Sequence, residues 1–227
     1  MKLLAIECAG QNCSVALHID GQTRQRLEHT STQLHSQRIL PMQQSLLAEA
    51  QLSLNQLDAI VCGHGPGSFT GVRVAVAVTQ GLAYGANLPT LAVSSLAAIA
   101  WGAMQSGDYM QSLIALDARM GELYWGYYRK AAQGIEVALE QRLTAPETLC
   151  EAELSGLQNC LAVGDGWLQY AGKLTPVRER CMSVDSSYPQ QASDVAGLAA
   201  ELIRQDAERL VPAVKLQPVY LRNKVTG

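Results

Sequence analysis

The residues most able to do chemistry lie in the run Gly63-His64-Gly65-Pro66-Gly67-Ser68-Phe69-Thr70-Gly71-Val72-Arg73. It joins an apolar strand pattern, Ala59-Ile60-Val61-Cys62, to a long apolar helix pattern that begins near Phe69. Closely spaced glycines let successive backbone N–H groups converge on one concavity, and Ser68 or Thr70 can cap the helix. A helix start of this kind is ready to hold an anion. Gly65, Gly67, Ser68, Thr70 and Gly71 are therefore candidates for a phosphate cradle. The run lacks the Gly-Lys-Ser/Thr ending of a P-loop and the dinucleotide-binding glycine spacing, and no lysine lies nearby. A structural turn is an equal reading.

Two carboxylates end similar strand patterns, Glu7 after Leu3-Leu4-Ala5-Ile6 and Asp117 after Leu113-Ile114-Ala115-Leu116. Strand-end carboxylates can hold a hydrated Mg²⁺ beside phosphates. More simply, they cap the backbone amides of a turn. Asp165, in Gly164-Asp165-Gly166-Trp167, carries the same pair of readings. His18, His29, His35 and His64 show no helical ligand spacing, and no cysteine or aspartate cluster surrounds any of them in sequence, so no metal centre is expected. Cys8 and Cys13 flank a turn as a bare pair. The six cysteines have no framework spacing, and several fall in apolar strand patterns, which points to reduced thiols and a cytoplasmic location. No G-x-S-x-G elbow is present to support nucleophilic hydrolysis.

These groups need elements to position them. Strand patterns cover 2–7, 14–19 and 22–28, the last two joined by the hairpin pair Asp20-Gly21. Thr30-Ser31-Thr32 offers caps for a helix over 35–50, on which Ile39, Met42, Leu46, Leu47 and Ala50 share a face. A strand at 59–62, a helix over 69–84, a strand at 90–93 and a helix capped by Ser94 or Ser95 follow. The second half repeats the order with strands at 113–117, 122–129 and 135–142, a helix over 146–153, a strand at 161–163 and a helix over 192–204. Two tandem βββαβα units predict a duplicated α/β architecture, with lobes over 1–104 and 105–227; the last roughly 15 residues could pack back on the first lobe.

A composition of 48% hydrophobic and 16% charged residues is that of a globular chain. A net charge of −3, without any basic run, argues against autonomous nucleic-acid binding. No segment is long and charge-free enough to span a bilayer. The helix over 69–84 carries Arg73 as its one charge, with Gly71, Ala75, Val76, Val78, Gly81, Leu82 and Ala83 on nearly every side. Such a helix must be covered all round, by neighbouring helices of the same chain or by a second protein.

Several segments together carry a resemblance: LLAIE with CSVAL, HSQRILPM, GHGPGSFTGVRVAVAVTQGLAYG, ALDARMGELYWGYY, GDGW and PVYLRN. They span Leu3 to Asn223 and are similar to the TsaB (YeaZ) family of bacterial tRNA threonylcarbamoyladenosine biosynthesis proteins. The resemblance implies an actin-like fold, that of sugar kinases and heat-shock ATPases, in two duplicated lobes. It implies a non-catalytic subunit that binds and stabilises its paralogue TsaD, the subunit that transfers the threonylcarbamoyl group to adenosine next to the anticodon. A homodimer alone, a heterodimer with TsaD, a larger complex with the small ATPase TsaE, and only indirect contact with tRNA are expected from it. The contact residues it implies lie on the helices over 35–50 and 69–84: His35, Ile39, Met42, Gln43, Leu46, Leu47, Val72, Ala75, Val76, Thr79 and Ala83.

TsaD carries an H-x-x-x-H metal motif, and Ser95 and Ile99 stand at the matching positions here. No catalytic residue and no metal is therefore expected. Glu7-Cys8-Ala9-Gly10-Gln11-Asn12 replaces the family's usual Asp-Thr/Ser-rich turn, which leaves fewer hydroxyl donors for a nucleotide. No cofactor is expected. Weak nucleotide binding is left open at a vestigial site of Glu7, Gly65, Gly67, Ser68, Thr70, Gly71 and Asp117. The alternative function is an actin-fold ATPase or small-molecule kinase that uses the loop over 65–71, with Glu7 and Asp117 around Mg²⁺. A metallopeptidase would need the same absent ligands.

Overall fold

The computed structural model describes residues 1–29, 35–151, 154, 156–157 and 159–222; the cap candidates Thr30-Ser31-Thr32 and the end of the 146–153 helix pattern lie outside the described residues. The chain opens with three strands, β1 (Lys2–Glu7), β2 (Asn12–Ile19) and β3 (Gln22–His29). Asp20 and Gly21, both at positive φ, form the tight turn between the last two. Then come α1 (His35–Glu49), β4 (Ala59–Gly63), α2 (Phe69–Ala86), β5 (Pro89–Val93) and α3 (Ser95–Gln105). The second half runs β6 (Gln111–Asp117), β7 (Leu123–Lys130), β8 (Ile135–Thr144), α4 (Pro146–Glu151), β9 (Cys160–Val163), α5 (Gly166–Gln169), α6 (Ala171–Arg178), β10 (Ser183–Asp185), α7 (Ala192–Gln205) and β11 (Val211–Pro212).

The strands form two sheets, in the orders β11-β5-β4-β1-β2-β3 and β10-β9-β6-β7-β8. Without β11 the two orders coincide strand for strand, each an antiparallel meander continued by parallel strands. That is the duplication read from the sequence. Glu7 and Asp117 end equivalent strands, β1 and β6.

The compact units do not follow the expected lobes over 1–104 and 105–227. One comprises Met1–Ala98 with Gln190–Val219, the other Ile99–Pro189 with the chain from Tyr220 on. The cause is α7, which packs on β1 and β2 of the first sheet. Its buried face, with Ala192, Val195, Ala196, Ala199 and Ala200, is made of small residues that let backbone lie close to strands. Ala192 N–H donates to Ser14 Oγ at 2.8 Å. Residues 213–219 then lie along α2, where Gln80 Nε2 donates to the Leu216 carbonyl at 2.9 Å and Val219 N–H to the His64 carbonyl at 2.9 Å. In the second unit, Arg222 pairs with Glu122 at 2.7 Å.

The first core centres on Leu4, Ile6, Val15, Leu17, Ile39, Leu46, Ile60 and Val72, the second on Leu113, Leu123, Trp125, Tyr127, Trp167 and Leu174. The buried indoles keep their polar edges satisfied: Trp125 Nε1–H donates to Thr144 Oγ1 at 2.8 Å and Trp167 Nε1–H to the Leu113 carbonyl at 3.3 Å. Among the described residues no helix is long and apolar enough to cross a membrane.

Candidate functional site

The glycine-rich loop leads from β4 into α2 as its sequence requires, and Ser68 is the cap, its Oγ accepting the Gly71 N–H at 3.3 Å. Thr70 is exposed on the first turn. Two amides of the cradle, those of Ser68 and Gly71, are directed at the chain itself. Ser68 N–H donates to the Ala9 carbonyl at 2.6 Å, in the turn between β1 and β2. The turn lies so close that a Cβ on Gly67 would strike Ala9, and one on Gly71 would overlap the Cys8 carbonyl. Gly65, at φ +102, offers its carbonyl to Ser95 N–H at 2.9 Å. The glycines thus make room for a neighbouring backbone segment. A carbonyl oxygen receives the donor that a phosphate would use.

Glu7 is 1% exposed, and both of its oxygens are engaged. Oε1 accepts the Ala9 N–H at 2.6 Å and Oε2 the Ser95 hydroxyl at 2.7 Å. A side chain on Gly63 would occupy the same space as this carboxylate. Burial pushes the Glu7 carboxyl above its ordinary value, against the lowering effect of hydrogen bonds from Ala9, Ser95 and Cys8. Its role is to tie the β1–β2 turn to the start of α3. Asp117 does comparable work in the second unit. Its Oδ1 accepts the Arg119 N–H and the Tyr170 hydroxyl, each at 2.9 Å, and Oδ2 pairs with the Arg119 guanidinium at 3.1 Å. Asp165 Oδ1 accepts the Asp117 N–H at 2.9 Å. Of the two readings of these carboxylates, the hydrogen bonds formed at both are those of turn capping.

The expected contact residues are placed differently from the sequence reading. His35, Ile39, Met42, Gln43, Leu46, Leu47, Val72, Ala75, Val76, Thr79 and Ala83 are all buried, none more than 6% exposed. The apolar ones among them pack into the first core. In the chain by itself these side chains face its own core. Periodicity picks out the face of a helix that meets its own sheet, and an interface on the same helix must lie on the other side. On α2 the outer face carries Phe69, Arg73, Ala77, Gly81, Tyr84 and Gly85. A Cβ at Gly81 or Gly85 would meet nothing within 4 Å, while Phe69 and Tyr84 are 47% and 76% exposed. The Arg73 guanidinium stacks over the Phe69 ring at 3.5 Å. Packed beside α2, α1 exposes Gln37, Leu40, Pro41, Gln44 and Ala48. The helix that read as apolar on every side is therefore covered by its sheet, by α1 and by residues 213–216, and is open along the one face just described.

The positions of the missing histidine pair are interior: Ser95 holds Glu7, and Ile99 is 1% exposed. One cluster escaped the sequence reading. Cys8, Cys13 and His35 converge with their ligand atoms all within 4.8 Å of one another. Twenty-two residues separate Cys13 from His35, so no spacing rule could join them; only the packing of α1 on β2 does.

Two βββαβ units in tandem, each with a carboxylate at the end of its first strand, define a protein of the actin-like ATPase fold. Residues 28–214 match the family model of TsaD, tRNA N6-adenosine threonylcarbamoyltransferase. The tRNA threonylcarbamoyladenosine biosynthesis protein TsaB of Escherichia coli K12 is 38% identical, over 99% of this chain and 96% of its own length. YeaZ from Pseudomonas aeruginosa superposes with a TM-score of 0.88 at 37% identity, covering 97% of this chain and 99% of that one. At the level of fold alone, the activator of the 2-hydroxyisocaproyl-CoA dehydratase from Clostridium difficile matches with a TM-score of 0.50 and 9% identity, over 92% and 97% of the two chains. The chain belongs to the TsaB family of tRNA threonylcarbamoyladenosine biosynthesis proteins.

Proposed function

We propose that this chain is a non-catalytic cytoplasmic subunit of the tRNA threonylcarbamoyladenosine machinery, and that it acts by docking a TsaD-type transferase on the outer faces of α1 and α2. The observation that carries the reading is the outer face of α2. Ala77, Gly81 and Gly85 form a stripe without bulk, flanked by the exposed rings of Phe69 and Tyr84. Small residues let a partner helix approach closely, and flanking aromatics supply the buried area that anchors an interface. The same face suits a second copy of the chain, so self-association competes with heterodimer formation, and TsaE joins the assembled pair. The hydroxyl and alkyl groups of Ser95 and Ile99, and the self-filled loop, favour a supporting role over transfer chemistry of its own.

The test is reconstitution of tRNA modification from purified TsaD, TsaE and the enzyme that makes the threonylcarbamoyl donor, with and without this chain. Modification is expected only in its presence. The substitution Ala77→Glu is expected to leave folding intact and to weaken binding of TsaD tenfold or more, since one uncompensated charge in an interface costs about 2 kcal/mol or more. Transfer by this chain alone, or full affinity in the Ala77→Glu variant, would refute the reading.

A further inference from the structure

Cys8 lies just after β1 and Cys13 near the start of β2, directly across their turn, with the two Sγ atoms 3.4 Å apart. His35, the first residue of α1, closes the triangle, and all three residues are fully buried. Two thiols and an imidazole form a soft ligand set, the kind that takes Zn²⁺ and is passed over by Mg²⁺ and Ca²⁺. With Zn–S about 2.3 Å and Zn–N about 2.0 Å, tetrahedral ligands stand roughly 3.5–3.8 Å apart; the sulfur pair at 3.4 Å is close to that spacing, and with every ligand atom within 4.8 Å of the others the imidazole needs a shift of about 1 Å at most. We propose that Cys8, Cys13 and His35 bind one Zn²⁺ ion, which pins the β1–β2 turn to the start of α1.

Charge selects the ion. Two thiolates and a neutral imidazole around Zn²⁺ sum to zero, so the buried site carries no net charge; Cu⁺ in the same place would leave one negative charge without compensation. Glu7 is adjacent in sequence, but its oxygens are taken by Ala9 and Ser95. Among the described residues no further His, Cys, Asp or Glu joins the group, so the protein supplies three ligands. Without metal, the neighbouring Cys13 and burial hold the Cys8 thiol well above its ordinary value. Each thiol must give up its proton as its S–Zn bond forms, and both protons pass to solvent with no change of oxidation state.

The experiment uses the full-length chain, reduced, stripped of metal and given Zn²⁺ alone. One zinc per chain is expected to survive gel filtration, with release of about two protons per ion. Co²⁺ in its place is expected to show thiolate-to-cobalt charge-transfer absorption. Cys8→Ser and Cys13→Ser should each lose the ion, while Cys62→Ser, at a buried thiol outside the cluster, should keep it. Substoichiometric zinc in the reduced protein, or a full equivalent in either cluster variant, would overturn the proposal. If those variants do not fold, the cobalt spectrum of the unaltered chain decides, and absence of the thiolate band overturns it. A Cys8–Cys13 disulfide recovered in place of zinc, from protein whose thiols were blocked at lysis, would do the same.

Discussion

Substitution of Gly71 by alanine tests whether the glycine-rich loop is a support for the chain's own backbone. The added Cβ would overlap the Cys8 carbonyl, which is main chain and cannot swing aside as a side chain would. Either the β1–β2 turn or the first turn of α2 must move, and both are held by the 2.6 Å bond from Ser68 N–H to the Ala9 carbonyl. Overpacking of this kind costs about 1–3 kcal/mol. Loss of a buried hydrogen bond adds about 1–3 kcal/mol, and the better helix propensity of alanine returns at most about 1 kcal/mol. The net expectation is a loss of about 3 kcal/mol, which at a urea slope near 2 kcal/mol/M lowers the midpoint by about 1.5 M. Gly81→Ala is the matched control. Its Cβ meets nothing within 4 Å, so the helix propensity term stands alone, and the midpoint should rise by about 0.4 M. Urea unfolding followed by far-UV circular dichroism gives both shifts, and hydrogen exchange of β1 and β2 amides assigns the first to the correct unit. If Gly71→Ala stays within about 0.5 kcal/mol of the parent, or Gly81→Ala falls with it, the account of the loop is wrong.

Leu46→Ala is expected to lose about 2–4 kcal/mol in urea unfolding, because Leu46 is buried in the first core; a near-neutral result with weakened TsaD binding would restore it to the interface. Glu7 gives a pH signature. Its carboxyl is raised above the ordinary 4.5, so between that value and its higher folded value the native state holds a proton that the unfolded chain has released. Stability is therefore greatest below pH 4.5 as far as this group is concerned, and falls as pH rises through the folded value. Glu7→Gln should flatten that part of the profile, and an unchanged slope would show that Glu7 is not its source.

The long alternating strands, the Asp20-Gly21 hairpin, the helix opening after Ser68 and the repeated element order were legible because each rests on a local rule. The short elements were not. α5, α6 and β10 carry too few residues to show a period, and Pro176 interrupts α6 in its last turns. The destination of α7 was hidden for another reason: its alanine-rich face would fit a strand of either sheet, and only tertiary structure chooses β1 and β2. At the candidate site, Glu7, Ser68 and Asp117 were identifiable as residues, but whether they faced a ligand or their own backbone depended on where residues 8–9 and 165–170 return. The interface residues read from the sequence lie on the best-patterned face, which the chain itself covers. Sequence periodicity reports what a helix hides.

The placement of α7 has a consequence for synthesis. All strands of the first sheet except β11 have been made once Val93 is added, yet the helix that covers β1 and β2 begins at Ala192. At typical translation rates of about 5–20 residues per second, the interval is on the order of ten seconds. During it one face of β1 and β2 lacks its covering helix, and Ser14 waits for the Ala192 amide that will meet its hydroxyl.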